Sequence, residues 1–361
     1  GIDPEKGDHR VKVLYSDASQ GSLFTEGDNT ILIEKVDAPI GNPINVTRLS
    51  GDDCYGTNLD TIKNDIETNG LPTGVIVCGT SHYLDSLSAA ALSGMLDYPV
   101  LLVNGSDNAI NSTSLEALNE LTGGGSRSLD IIVLGGKFAI SDGIESALCA
   151  YDSDGACDRI FGDDGYATNR AVYDFGNTRG SWNAKEVLVA SGAGYHDALG
   201  AGSYAMANDS FILLVNPYGD NSSMVEKASH HAKATVLGGF FAVPQDVENS
   251  LTSSGIATSR IAGEDAYQTN IAFVTYAVSN GMSLEGAGFS SGLGYYDALG
   301  SSHNLGKTKS VMFLASLDES LNQGAYDLIK SSGTSIKNAK VFGGLAVISS
   351  TTENAIKTVL Q

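Results

Sequence analysis

Residues 48–58 read RLSGDDCYGTN, and the string returns as RIFGDDGYATN at 159–169 and as RIAGEDAYQTN at 260–270. The copies start 111 and 101 residues apart, and eight of the eleven columns hold the same or a similar residue throughout. Self-similarity at a fixed, long period marks homologous modules, each a supersecondary unit used again. A second string surrounds Asp85 (GTSHYLDSL), Asp197 (SGAGYHDALG) and Asp297 (SGLGYYDALG), lying 37, 38 and 37 residues after the leading Arg. A third closes each copy: VLGGKFAIS from Val133, VLGGFFAVP from Val236 and VFGGLAVIS from Val341, the last reading one residue shorter between its Gly pair and its Ala. Three modules follow, at 48–158, 159–259 and 260–361.

Within a module, short β-branched runs (75–79, 99–103, 130–136) alternate with helix-like stretches at 58–69, 85–95, 112–121 and 140–148. Near-continuous apolar strands separated by helices predict a parallel sheet covered on both faces. Asp85 and Ser141 are placed as helix N-caps. Each RLSG-type segment reads as a further short strand, so a module is an α/β layer fold of about four strands. The modules are expected to pack together as one rigid unit, burying helix faces against copies of themselves. Residues 1–47 stand outside the repeat. HRVKVLYSD and NTILIEKV alternate like two strands, either a hairpin extending the first module or the remnant of a neighbouring domain.

The 361 residues carry 42 acidic and 21 basic side chains, a formal charge of −21. Sequence-independent binding to nucleic acid needs many Lys and Arg against phosphates, so that class is disfavoured. No run approaches the ~18–20 apolar residues of a membrane span. The opening GIDPEKGDHR is polar, unlike a signal peptide, and Gly in place of Met as first residue fits a chain from which a leader has been cut. By segment the charge is −4 for 1–47, then −12, −4 and −1 for the three modules, so an anionic partner is better tolerated toward the C-terminal end.

In the first string, Gly51, Gly162 and Gly263 suit a strand-to-helix turn, and Asp53, Asp164 and Asp265 are placed to cap the helix. Tyr55, Tyr166 and Tyr267 then pack inward at its start. Arg48, Arg159 and Arg260 have two readings: struts ion-paired to the string's own Asp, or planar forks for the acid groups of a polymer. In the second string, Asp85, Asp197 and Asp297 sit at carboxyl ends of strands, where open parallel sheets gather ligands. Tyr83, Tyr195 and Tyr295 either stack on a sugar ring or seal the loop. The Gly pairs match neither GxGxxG nor GxxxxGK[ST], so tight turning explains them better than phosphate binding.

Catalytic signatures are absent or unrepeated. His82 and His196 lie near the second string, but the third copy has Tyr296 where the second has His196, and HExxH and CxxC do not occur. The loop Asp152-Ser-Asp154-Gly155 resembles a fragment of a calcium loop without its remaining ligands, so no metal or cofactor is expected. Cys149 and Cys157 bracket a short polar loop and suit a disulfide in an exported protein. Cys54 and Cys78 occur only in the first module. A paired gain in one copy predicts contact between them, against the alternative of two buried thiols.

The three strings together resemble the cell wall binding repeat 2 family of Gram-positive surface-layer and cell-wall proteins. The pattern is close to R-[IL]-x-G-x-D-R-Y-x-T, A-T-G-x-x-[FY]-x-D-A-L and V-x-x-x-G-G-x-x-A-[IV]-S. One departure is consistent: the Arg of Asp-Arg-Tyr is Cys54, Gly165 or Ala266 here. The resemblance implies three Toprim-like or Rossmann-like modules about a pseudo-threefold axis. It also implies non-covalent anchoring of a secreted protein to an anionic wall polysaccharide, with no membrane insertion. Repetition itself favours binding over catalysis, because equal weak sites gain avidity on a repeating polymer. The competing classes are a Rossmann-like enzyme acting on a nucleotide or sugar phosphate, and a structural surface-layer spacer. A monomer with internal symmetry is expected. Its polymer contacts are placed at Arg159 and Arg260 more than at Arg48, helped by Lys307, Lys309, Lys330, Lys337, Lys340 and Lys357.

Overall fold

The computed structural model describes residues 44–332 and 336–360, so the strands expected earlier in the N-terminal segment lie outside the described residues. Among the described residues twelve strands form in chain order: β1 (Asn45–Leu49), β2 (Gly74–Gly79), β3 (Val100–Val103), β4 (Asp130–Leu134), β5 (Asp158–Ile160) and β6 (Glu186–Ser191), then β7 (Ile212–Val215), β8 (Lys233–Leu237), β9 (Ala257–Ile261), β10 (Ser283–Ser291), β11 (Ser310–Ala315) and β12 (Asn338–Phe342). They make three four-stranded sheets with orders β3-β2-β4-β5, β7-β6-β8-β9 and β11-β10-β12-β1. Every ladder is parallel. Both faces of each sheet are covered. In β2, Val75 and Val77 enter one apolar cluster with Ile62 and Leu118, while Ile76 and Cys78 enter another that runs through all three modules.

Sheets and repeats are out of step by one strand. β5 and β9 carry the leading Arg of a repeat but complete the sheet of the module before it. The third sheet is completed by β1, in which Arg48 lies opposite Val341. The three modules are therefore joined cyclically, and the described residues form a single compact unit.

The free edge of each sheet is held by the last residue of the first string. Asn58 donates to Val100 O at 2.9 Å and accepts from Leu102 N at 2.9 Å on the edge strand β3. Asn169 does the same at Ile212 and Leu214, and Asn270 at Met312 and Leu314. A side-chain amide thus plays the part of a missing neighbouring strand, which blunts an edge otherwise open to pairing.

Asp53, Asp164 and Asp265 cap their helices as the string predicts, accepting from Gly56, Ala167 and Gln268 N at 2.7–2.8 Å. Ser141 caps likewise, accepting from Ile144 N at 3.3 Å. Asp85 does not. The stretch expected as one helix is two, Tyr83–Leu87 and Ala89–Leu96, and Asp85 lies within the first turn, buried. The helices Ala89–Leu96, Gly202–Asn208 and Tyr296–Gly306 pack against one another at the centre. Small residues make that approach possible: a Cβ on Gly94 would lie 2.0 Å from Met206 O, and one on Gly202 2.3 Å from Ser302 Oγ.

The third string is not shortened in the third copy. Val347, not Ala346, takes the place of Ala139 and Ala242, each donating its backbone N–H to the second Gly of the pair. The residue type changed while the spacing held.

Candidate functional site at the module junctions

Each leading Arg faces back into the module whose sheet it completes. Arg159 Nε donates to Glu145 at 2.8 Å, Nη1 to Gly135 O at 2.8 Å and Nη2 to Ile140 O at 2.9 Å. Arg260 repeats this with Glu248, Gly238 O and Val243 O. Arg48 does so with Glu353, Gly343 O and Ile348 O. The partner is therefore a Glu on the last helix of the preceding sheet, not the string's own Asp, which is already occupied as a cap. These Glu stand ten residues after the first Gly of each pair, a regularity that was open to reading. The guanidinium forks are internal struts, which leaves little of them to offer a ligand.

Asp85, Asp197 and Asp297 lie beneath the Gly turns. A Cβ built on Gly135, Gly238 or Gly343 would sit 2.7, 2.3 or 2.6 Å from the carboxylate of Asp85, Asp197 or Asp297. All three Gly have positive φ (107°, 99° and 117°), so both space and backbone demand the residue. Burial raises all three carboxyls, Asp297 to about 6, while a Thr of the next first string (Thr168, Thr269 and, across the ring closure, Thr57) holds each back. Asp85 Oδ1 has no hydrogen-bond partner. All three strings thus converge at each junction.

Tyr83, Tyr195 and Tyr295 meet at the centre, with ring centroids 5.6, 5.6 and 5.4 Å apart. Their hydroxyls donate around the ring: Tyr83 to Gly192 O at 3.0 Å, Tyr195 to Leu293 O at 3.1 Å and Tyr295 to Thr80 O. The hydroxyls tie the loops together, while the rings meet edge-on or tilted, at 74°, 55° and 55°, and Tyr195 stacks on His196 at 4.1 Å. Tyr55 Oη lies 2.8 Å from Thr80 Oγ1, and Tyr166 and Tyr267 lie against Gly192 and Gly292, so each first-string Tyr covers its own module's second-string loop.

Cys149 and Cys157 form the expected disulfide. The expected pairing of Cys54 with Cys78 is not made, and both are free. Cys78 lies within β2, where burial raises its thiol to about 12; Cys54 opens a helix, and burial, with the nearby charges of Asp53 and Asp297, raises its thiol to about 11. What brought first and second strings together is Tyr55, not a sulfur pair. Among the described residues no cluster of three or more His, Cys, Asp or Glu is arranged to hold a metal, and no helix is long and apolar enough to cross a membrane. A groove of about 800 Å³ opens between the helices Ser222–Ala228 and Gln245–Ser253, lined by Asp220, Glu226, Asp246 and several Ser. Of the three strings only Pro244, the last residue of the second module's third string, reaches it.

Comparison with known proteins agrees with this architecture. The chain is 27% identical over 322 residues to the N-acetylmuramoyl-L-alanine amidase LytC of Bacillus subtilis (strain 168), an alignment covering 86% of this chain and 58% of the relative. It superposes on Cwp8 from Clostridium difficile with a TM-score of 0.75 at 19% identity, covering 87% of this chain and 51% of that one. Cwp6 from the same organism gives 0.76 at 17% identity, covering 88% and 48%. The chain thus spans about half the length of these relatives. The cell wall binding domain 2 (CWB2) family matches at 48–145, 159–248 and 260–353, the three repeats in order, and the chain belongs to that family.

Proposed function

We propose that this chain is a wall anchor: a non-covalent binding unit that holds a secreted protein on the Gram-positive surface through a secondary wall polysaccharide. The observation that carries the reading is the threefold recurrence of one junction, with Arg, Asp, Thr and the Gly turn in the same relation each time. A repeating polymer rewards a repeating receptor, since linked weak sites multiply into useful affinity. Catalysis is not part of this reading, because nothing reactive recurs: the place of His196 is held by Leu84 in the first copy and by Tyr296 in the third.

The test is co-sedimentation with deproteinised Gram-positive walls before and after acid extraction of their polysaccharide. Retention on intact walls that is lost on extracted ones supports the anchor. Equal retention on both favours a structural spacer, and turnover of a nucleotide or sugar phosphate would replace it with an enzyme.

A further inference from the structure

We infer that the chain grips its glycan by stacking exposed phenylalanines on sugar rings that carry no net negative charge, at the first and second junctions. This rests on the anchor reading and deepens it. Of the ten large apolar side chains exposed among the described residues, eight lie on loops that follow the carboxyl ends of strands. The Tyr83–Tyr195–Tyr295 contact shows that the carboxyl ends of β2, β6 and β10 converge on one end of the axis. Phe138 and Phe241, at matching places in the Gly turns, are 92% and 103% exposed. Phe161 and Phe240 stand beside the same turns at 56% and 59%; Phe161 borders Gly136, and Phe240 lies over the Arg260 guanidinium at 4.4 Å. The third junction carries Leu345, Ala346 and Ser50 at these places, and so has no ring to offer.

Charge selects the occupant. The three string Arg are spent on internal acceptors, and Lys137, the exposed cation of the first Gly turn, is bound to Asp142 at 3.0 Å. The acids Asp163, Asp164 and Glu264 stand exposed or at the rim of the same junctions. A polyanion would meet these acids, of which only Asp164 is engaged as a helix cap, with none of the string Arg free to pair, whereas the apolar face of an uncharged ring loses nothing beside them and gains aromatic contact.

The experiment measures retention on deproteinised walls at low and high salt for the native chain and for Phe138→Ser combined with Phe241→Ser, two side chains too exposed to matter for folding. Stacking predicts retention that persists at high salt and falls about tenfold in the double variant, with an unchanged thermal midpoint. Retention that collapses with salt and ignores the double variant overturns the inference while leaving the anchor intact. A native chain that no wall retains overturns both. Sedimentation covers the remaining occupant: self-association abolished by the double variant, with wall retention unaffected, would assign these rings to a second copy of the chain.

Discussion

Arg48 and Glu353 stand 305 residues apart in sequence and join at 2.6 Å, closing the third sheet with the first strand of the first repeat. The same pair occurs at the other two junctions between residues only 14 and 12 apart, so one device serves both as local strut and as ring closure. Replacing Arg48 with Gln leaves Glu353 with Lys357 alone and takes donors from two carbonyls. For a half-buried pair the loss is about 2–4 kcal/mol, read as a thermal midpoint several degrees lower. Arg159→Gln and Arg260→Gln are expected to behave alike. Midpoints that stay put in all three would return these side chains to ligand duty.

Asp297 makes stability depend on pH. Burial disfavours its charge and pushes the carboxyl up to about 6 in the folded chain, from an ordinary 3.8. The native state then binds more protons than the unfolded one between these values. This group's contribution therefore falls as pH rises through that window, by about 2 kcal/mol or less. Denaturant midpoints across pH 4–7 (roughly the span of a carboxyl so raised) should show this slope reduced in Asp297→Asn.

Asn169→Ala removes two hydrogen bonds from β7 and exposes its edge. A cost of about 2 kcal/mol is expected, with faster amide exchange at Leu214 before any global change. Exchange that accelerates uniformly along the chain would place the residue in general packing instead.

The thiols should sort cleanly. Peptide mapping without reduction is expected to show Cys149 joined to Cys157, with Cys54 and Cys78 alkylated only after unfolding in the case of Cys78. Reduction should cost about 2–3 kcal/mol for so short a loop. A Cys54–Cys78 link would contradict the described geometry.

The string positions revealed the caps at Asp53, Asp164, Asp265 and Ser141, though not the place of Asp85, together with the Gly turns and the parallel α/β modules, because each rests on local chemistry that one residue type satisfies. What stayed hidden depends on which copy touches which. The Arg–Glu pairing crosses from one repeat into the sheet before it, and local spacing favoured Asp53 as the nearer acid. The tyrosine triad has no sequence signature beyond its recurrence, since an aromatic that seals and one that stacks on sugar look alike until their neighbours are seen. Cys54 and Cys78 misled because co-occurrence within one copy was taken as proximity, when Cys78 lies in β2 with its side chain in the central apolar cluster and Cys54 opens a helix.

The one-strand offset between sheet and repeat also fixes the copy number. In an open solenoid a duplicated unit simply lengthens the array, since each unit contacts only its two neighbours. Here every unit lends a strand to the preceding one, and the first lends its strand to the last. Excising one repeat would leave a lender without a borrower at the right distance, and inserting a fourth would open the tyrosine contact at the axis. Gene duplication within this family is therefore expected to copy the whole triplet or nothing, so that longer anchors arise as two triplets in series and not as four or five repeats.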